Sequence, residues 1–239
     1  MIMEWGKFTP IDIDNFTPTE LRMPVIRTCL HDTVGRLIEA QGYKFKKSDH
    51  SYKRKLGNSY EQIKFLFYDY FPLNYGYDFL VYVFDENIEK IKLSLPPQDH
   101  FQSFNRYSIF IVMDYFTHHI KSKSLGEMGR DYQVVTLDDL MNTANAVCKT
   151  FKEEVLPLLE TLTTIDGIDD FFNEKGVNWA VESNFMNNVC TDLISAKLNG
   201  KRNYHKVFEE IIQAIKATEK PNLQTLKVIE NLYLYLNSM

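Results

Sequence analysis

The chain is poor in the residues from which loops, cross-links and cofactor sites are usually built. Ten glycines and eight prolines in 239 residues leave few places for long irregular segments. The three cysteines, Cys29, Cys148 and Cys190, are odd in number and far apart, each inside a helical apolar pattern. They read as buried thiols of a reducing compartment, not as a disulfide set or a zinc site. No apolar run approaches the roughly 20 residues of a membrane-spanning helix. The opening MIMEWGKFTP carries an early Glu4 and no apolar stretch of the kind a secretory signal needs. A cytoplasmic location is therefore expected. A net charge of −5 offers no overall attraction to nucleic acid or to an anionic membrane.

Familiar catalytic and cofactor motifs are missing too. Gly57, Gly76, Gly126 and Gly129 do not assemble into a phosphate-binding loop. There is no HExxH, no CxxC and no G-x-S-x-G. Gly57-Asn58-Ser59 begins like a nucleophile elbow, but Glu61 stands where the closing glycine belongs. No cofactor is expected, and the balance tilts away from an enzyme.

What the chain does have is aromatic strand. Residues 43–86 hold fourteen Phe or Tyr in 44 positions, alternating with polar residues at a period of two, the mark of paired β-strands. Tyr43–Ser48 and Ser51–Leu56 are expected to pair across a two-residue Asp49-His50 turn. That register sets Lys44 against Lys55, Lys46 against Lys53 and Phe45 against Arg54. Strands follow at Tyr60–Phe71, Tyr77–Phe84 and Tyr107–Met113, with a short extended run at Tyr132–Val135. Between them, residues 85–105 read as charged and then Pro-containing, and 117–131 as an exposed loop. Phe65, Phe67, Phe79, Val81, Ile109 and Ile111 are the expected core of the sheet.

Helical period surrounds this block. Thr17-Pro18-Thr19-Glu20 reads as a capping box before a helix carrying Val25, Ile26, Cys29, Leu30, Val34, Leu37 and Ile38 on one face. Pro24 demands either a kink or a start near Met23, and Gly42 ends the helix. Thr136–Asp139 caps a helix that Pro157 should kink. Shorter helices are expected at Asp166–Glu174, after Trp179, over Tyr204–Ala217 and over Leu223–Leu236. One helix, about four antiparallel strands and then about five helices make an α+β fold. No linker separates a sheet-rich part (about 1–135) from a helical part (about 136–239), so one domain over 1–239 is expected.

Four features carry candidate chemistry. Asp114, His118 and His119, with His100 more distant, combine a carboxylate and imidazoles as a divalent-metal site would. Adjacent histidines point apart on any regular backbone, which weighs against it. Lys44, Lys46, Lys53 and Lys55, joined by Arg54, form a basic hairpin with interleaved aromatics, a pattern of anion and single-strand platforms. Lysines also guard sheet edges against aggregation. Residues 137–196 hold eleven acidic and three basic side chains, so a basic hairpin and an acidic stretch could meet in a homodimer or steer a partner. The tyrosines 60, 68, 70, 75, 77 and 82 could line a cleft or simply reach the rim of a core.

The order of elements resembles a bacterial family of unknown function. The likeness rests on Gly42-Tyr43-Lys44-Phe45-Lys46-Lys47, on the aromatic strands Ser59–Tyr70 and Gly76–Asp85, and on the step Val155-Leu156-Pro157-Leu158-Leu159. It spans roughly residues 20–175, and the tail from Trp179 is longer here. The resemblance implies the α+β fold and a bacterial origin, and it brings no activity and no catalytic residue. The expected function is a non-catalytic binding or interaction module with a protein partner, nucleic acid and membrane being disfavoured. The alternatives are a metal-assisted hydrolase through Asp114, His118 and His119, or a polyanion binder through the lysine hairpin.

Overall fold

A computed structural model describes residues 21–70, 74–96, 107–112, 116, 132–182, 186–218 and 221–239. Helix α1 (Met23–Leu30) opens with Pro24 in its first turn, where a missing N–H costs nothing. A π-helical turn (His31–Gly35) leads into α2 (Arg36–Ala40). Gly42 then takes φ 85° to end the helix. The capping box at Thr17–Glu20 lies outside the described residues.

The strands are β1 (Lys44–Lys46), β2 (Ser51–Leu56), β3 (Ser59–Tyr70), β4 (Asn74–Phe84), β5 (Ile109–Val112) and β6 (Tyr132–Val134). They form one sheet in the order β1-β2-β3-β4-β5, and β6 pairs antiparallel with the start of β4, Tyr77 facing Tyr132. Among the described residues there are six strands where about four were expected, and the short run at Tyr132–Val134 joins the ladder as β6. Phe65, Phe79, Val81, Ile109 and Ile111 are buried as expected. Phe67 is only half-buried, with the Arg27 guanidinium 5.2 Å over its ring and the His50 ring edge-on at 5.2 Å.

The register of the first hairpin differs from the expected one. Lys44 faces Lys53, Phe45 faces Tyr52 and Lys46 faces Ser51, so the connection is four residues, Lys47–His50. Two contacts explain the longer turn. The Asp49 carboxylate accepts from Ser51 Oγ at 2.8 Å and from Lys46 Nζ at 3.1 Å, binding the turn to both strand ends. The His50 carbonyl accepts from Phe65 N at 3.0 Å, so His50 is spent on the β3 side and takes φ 49°. A four-residue loop closing on a left-handed residue is a common hairpin solution.

The charged stretch that follows β4 opens as a helix. Asp85 accepts from Asn87 N and Ile88 N at 3.0 and 3.1 Å and caps a helix, α3 (Glu86–Leu93). After β6, Thr136 and Asp139 form a reciprocal capping box on α4 (Leu137–Thr150). A π-helical turn (Phe151–Val155) precedes α5 (Leu156–Thr161). This wide turn lies where Pro157 would clash with the backbone of an ordinary α-helix, so it takes the place of a sharp kink. Helix α6 (Ile165–Glu182) is longer than expected and includes Trp179; Gly176, at φ 75°, breaks it internally. Helices α7 (Met186–Asn199), α8 (Tyr204–Ala217) and α9 (Leu223–Ser238) complete the run. Side-chain oxygens of Asn203 and Asn222 cap the last two. The α+β class, the leading helix and the closing helical run are as expected, with six helices among the described residues after β6.

The chain divides into two compact units whose limits fall within strands and, at 157/158, within α5: 1–54, 62–81 and 111–157 form one, and 55–61, 82–110 and 158–239 the other. In the first, Phe151 packs between Phe65 (centroids 6.0 Å apart) and Phe79 (4.8 Å), and Tyr77 stacks on Tyr132 at 5.2 Å. In the second, Val83, Ile88, Ile109, Val189, Leu193 and Ile194 are buried, and Trp179 meets Phe171 edge-on at 5.3 Å.

Candidate functional site

The lysine hairpin is anchored from behind. Phe45 and Tyr52 face each other with centroids 4.9 Å apart. His31 stacks on Phe45 at 4.5 Å and its Nδ1 lies 2.8 Å from the Tyr52 hydroxyl. Gly35 makes the approach possible, since a Cβ there would lie 2.2 Å from that hydroxyl oxygen. Burial raises the Tyr52 phenol, helped by Glu39 and Asp32. Strand alternation then sends Lys44, Lys46 and Lys53 to the opposite face. Lys44 and Lys46 are exposed and Lys53 half-exposed.

The expected basic residues are thus only partly brought together. Lys44, Lys46 and Lys53 share one face. Arg54 points to the other, its guanidinium 4.8 Å over the Tyr43 ring and its Nη1 donating to Gln41 O at 3.4 Å. Lys55 is exposed and belongs to the second unit. Asp114, His118, His119 and His100 lie outside the described residues. Among the described residues no group of three or more His, Cys, Asp or Glu is placed to hold a metal ion.

The second unit holds polar groups that periodicity did not single out. Arg202 sits between two buried carboxylates: Nε donates to Asp169 Oδ1 at 2.6 Å, and Nη2 to Asp192 Oδ1 at 2.7 Å. Asn199 donates to Asp169 Oδ2 at 2.8 Å. Burial pushes Asp192 up to about 6 against the pull of Arg202. Arg202 also lines an open cleft of ≈ 190 Å³ with Phe172, Gly176, Lys206 and Glu210, but its guanidinium is already committed to the two aspartates.

Helix α7 closes the side of β5 by using side chains as if they were strand. Asn188 accepts from Phe110 N at 3.0 Å and donates to Phe110 O at 2.9 Å, and Thr191 donates to Ser108 O at 2.6 Å. Such cover is one way to blunt a sheet edge. One residue earlier, Asn187 meets Lys92, which is fully buried and paired with Glu89. The adjacent Asn187-Asn188, directly before the buried Val189 and Cys190, is the sequence signal that could have found this region.

Comparison with known proteins adds no relative: no family model, no curated protein and no solved structure matches this chain.

Proposed function

We propose that this protein works by binding, and that the lysine face of the β1–β2 hairpin docks an acidic protein surface. One observation carries the reading. Lys44 is held directly opposite Lys53 with Lys46 alongside, while the reverse face of the same strands is locked by Phe45, Tyr52 and His31. Like charges directly opposed are unfavourable, and an anion between them removes that cost. A small local cluster on a chain of net charge −5 suits a short acidic patch better than an extended nucleic acid, whose phosphates the rest of the surface repels. A reducing, cytoplasmic setting belongs to the same proposal, in keeping with three free cysteines and with no helix among the described residues long and apolar enough to cross a membrane.

The test is a titration of the purified protein with an oligoglutamate peptide and, in parallel, with single-stranded DNA of equal charge. Peptide binding that falls with salt, and falls several-fold in Lys44→Gln/Lys53→Gln, supports the reading. Tighter binding to the DNA would replace it with a polyanion binder. Absence of peptide binding, or catalytic turnover abolished by a single polar substitution, would overturn it. The acidic stretch 137–196 makes a second copy of the chain one candidate for the acidic partner, which sedimentation at increasing salt would reveal.

A further inference from the structure

Glu89 and Lys92 stand three residues apart on α3, one turn of helix, and so share a face. Both are removed from solvent, with Lys92 at 0% and Glu89 at 2% exposure, and Asn187 from α7 is equally buried at 2%. Lys92 Nζ lies 2.5 Å from Glu89 Oε1, 3.2 Å from Asn187 Oδ1 and 3.2 Å from Tyr107 O. Glu89 Oε1 also accepts from Ser108 Oγ at 2.7 Å, whereas Oε2 is buried with no hydrogen-bond partner among the described residues. Cys190 is wholly buried, and burial pushes its thiol up to about 12, with Lys92 opposing and Glu89 adding.

An amine, a carboxamide and a carboxyl group held together away from bulk solvent are the reactants and proton carrier of an amide exchange. We propose that in the folded protein Lys92 and Asn187 are joined by an intramolecular amide bond, with Glu89 carrying the proton between them. Burial lowers Lys92 and raises Glu89 from their ordinary values, so desolvation favours the proton on the carboxyl and a neutral, nucleophilic amine. The Nζ lone pair adds to Asn187 Cγ, one bond beyond the Oδ1 it already touches. Glu89 takes a proton from Nζ and delivers one to Nδ2, which leaves as ammonia. One C–N bond forms and one breaks, nothing is oxidised or reduced, and Glu89 ends in the protonation state in which it began. The unpartnered Oε2 gives the carboxyl a second oxygen for receiving and handing on the proton.

The fold supplies what this reaction lacks in solution. Amines do not displace ammonia from carboxamides in water at useful rates. Two groups fixed at contact distance gain the large effective concentration of an intramolecular reaction, and exclusion of water prevents hydrolysis from competing. The product also removes a buried amine, a group whose charged form is expensive to desolvate, and leaves a neutral amide beside the carboxyl. The bond would tie α3 to α7 across 94 intervening residues.

The intact mass of the natively purified full chain decides the matter. The folded protein is expected to be about 17 Da lighter than its sequence, the mass of one ammonia. Proteolysis should release one branched fragment containing both position 92 and position 187. Glu89→Gln and Lys92→Arg should each restore the full mass. A full-sequence mass in folded wild-type protein after prolonged incubation overturns the proposal, and this needs no variant to fold. A succinimide at an asparagine loses the same mass. That explanation is separated by the fragment map and by Lys92→Arg, and a loss that persists in that variant, or comes without the branched fragment, overturns the proposal equally.

Discussion

Lys44 lies directly across the ladder from Lys53. Two like charges at a cross-strand position repel by a few tenths of a kcal/mol. The double change Lys44→Gln/Lys53→Gln is therefore expected to leave stability unchanged or raise it by roughly that amount. Lys46→Gln should move the other way, because it loses the Asp49 contact at 3.1 Å. Urea midpoints measured on both variants check the register: if Lys46→Gln stabilised and the double change destabilised, the pairing would be wrong.

The approach of Gly35 to Tyr52 makes a second, two-part prediction. Gly35→Ala places a methyl group 2.2 Å from the Tyr52 hydroxyl and should cost about 1–3 kcal/mol, as overpacking does. In a Tyr52→Phe background the nearest atom is gone, so the same change should cost measurably less. A double-mutant cycle in denaturant reads the coupling; strict additivity would mean that the hydroxyl is not the obstacle.

Asn188→Ala removes two buried hydrogen bonds to the Phe110 backbone. Their loss should cost about 1–3 kcal/mol. The local signature is faster hydrogen exchange of the Phe110 amide, beyond what global destabilisation explains.

Asp192 makes stability depend on pH in an unusual direction. Its carboxyl is raised from 3.8 to about 6 by burial, with Asp169 and Glu210 adding and Arg202 opposing. Between those values the folded protein keeps a proton that the unfolded chain has released. This group's contribution to stability is therefore full below pH 4, falls as pH rises towards 6, and is lost above it, by up to about 3 kcal/mol. Asp192→Asn should flatten that part of the profile. Thermal unfolding of both proteins between pH 4 and pH 7 checks the sign; a wild-type profile rising over that window relative to the variant would contradict it.

Much of the fold was legible because it depends on period alone. Alternation in residues 43–86 marks the strands and sorts their faces, and i, i+3, i+4 spacing marks the helices. Local chemistry also reads directly: Pro24 sets the start of α1, Gly42 and Gly200 end helices at φ 85° and 71°, and Thr136 with Asp139 forms the capping box. Even the register error left the lysine face intact. The pairing moved by two residues, and a shift by two returns every side chain to the same face, so Lys44, Lys46 and Lys53 remain together while their partners change.

What tertiary structure alone decided were the choices between locally equivalent options. Asp49 binds the turn and His50 is drawn into the pairing with Phe65, and neither contact has a periodic signature. Helix α3 is short and rich in charge, so in sequence it reads only as a charged stretch; Asp85 caps it, and its packing buries Glu89 and Lys92. Arg202, in the connection between α7 and α8, likewise gains its meaning only when Asp169 of α6 and Asp192 of α7 close on it. A charged residue looks the same in sequence whether water or a second helix surrounds it. Burial is a property of the assembled chain, and here it converts Lys92, Glu89 and Asn187 from surface residues into one enclosed cluster.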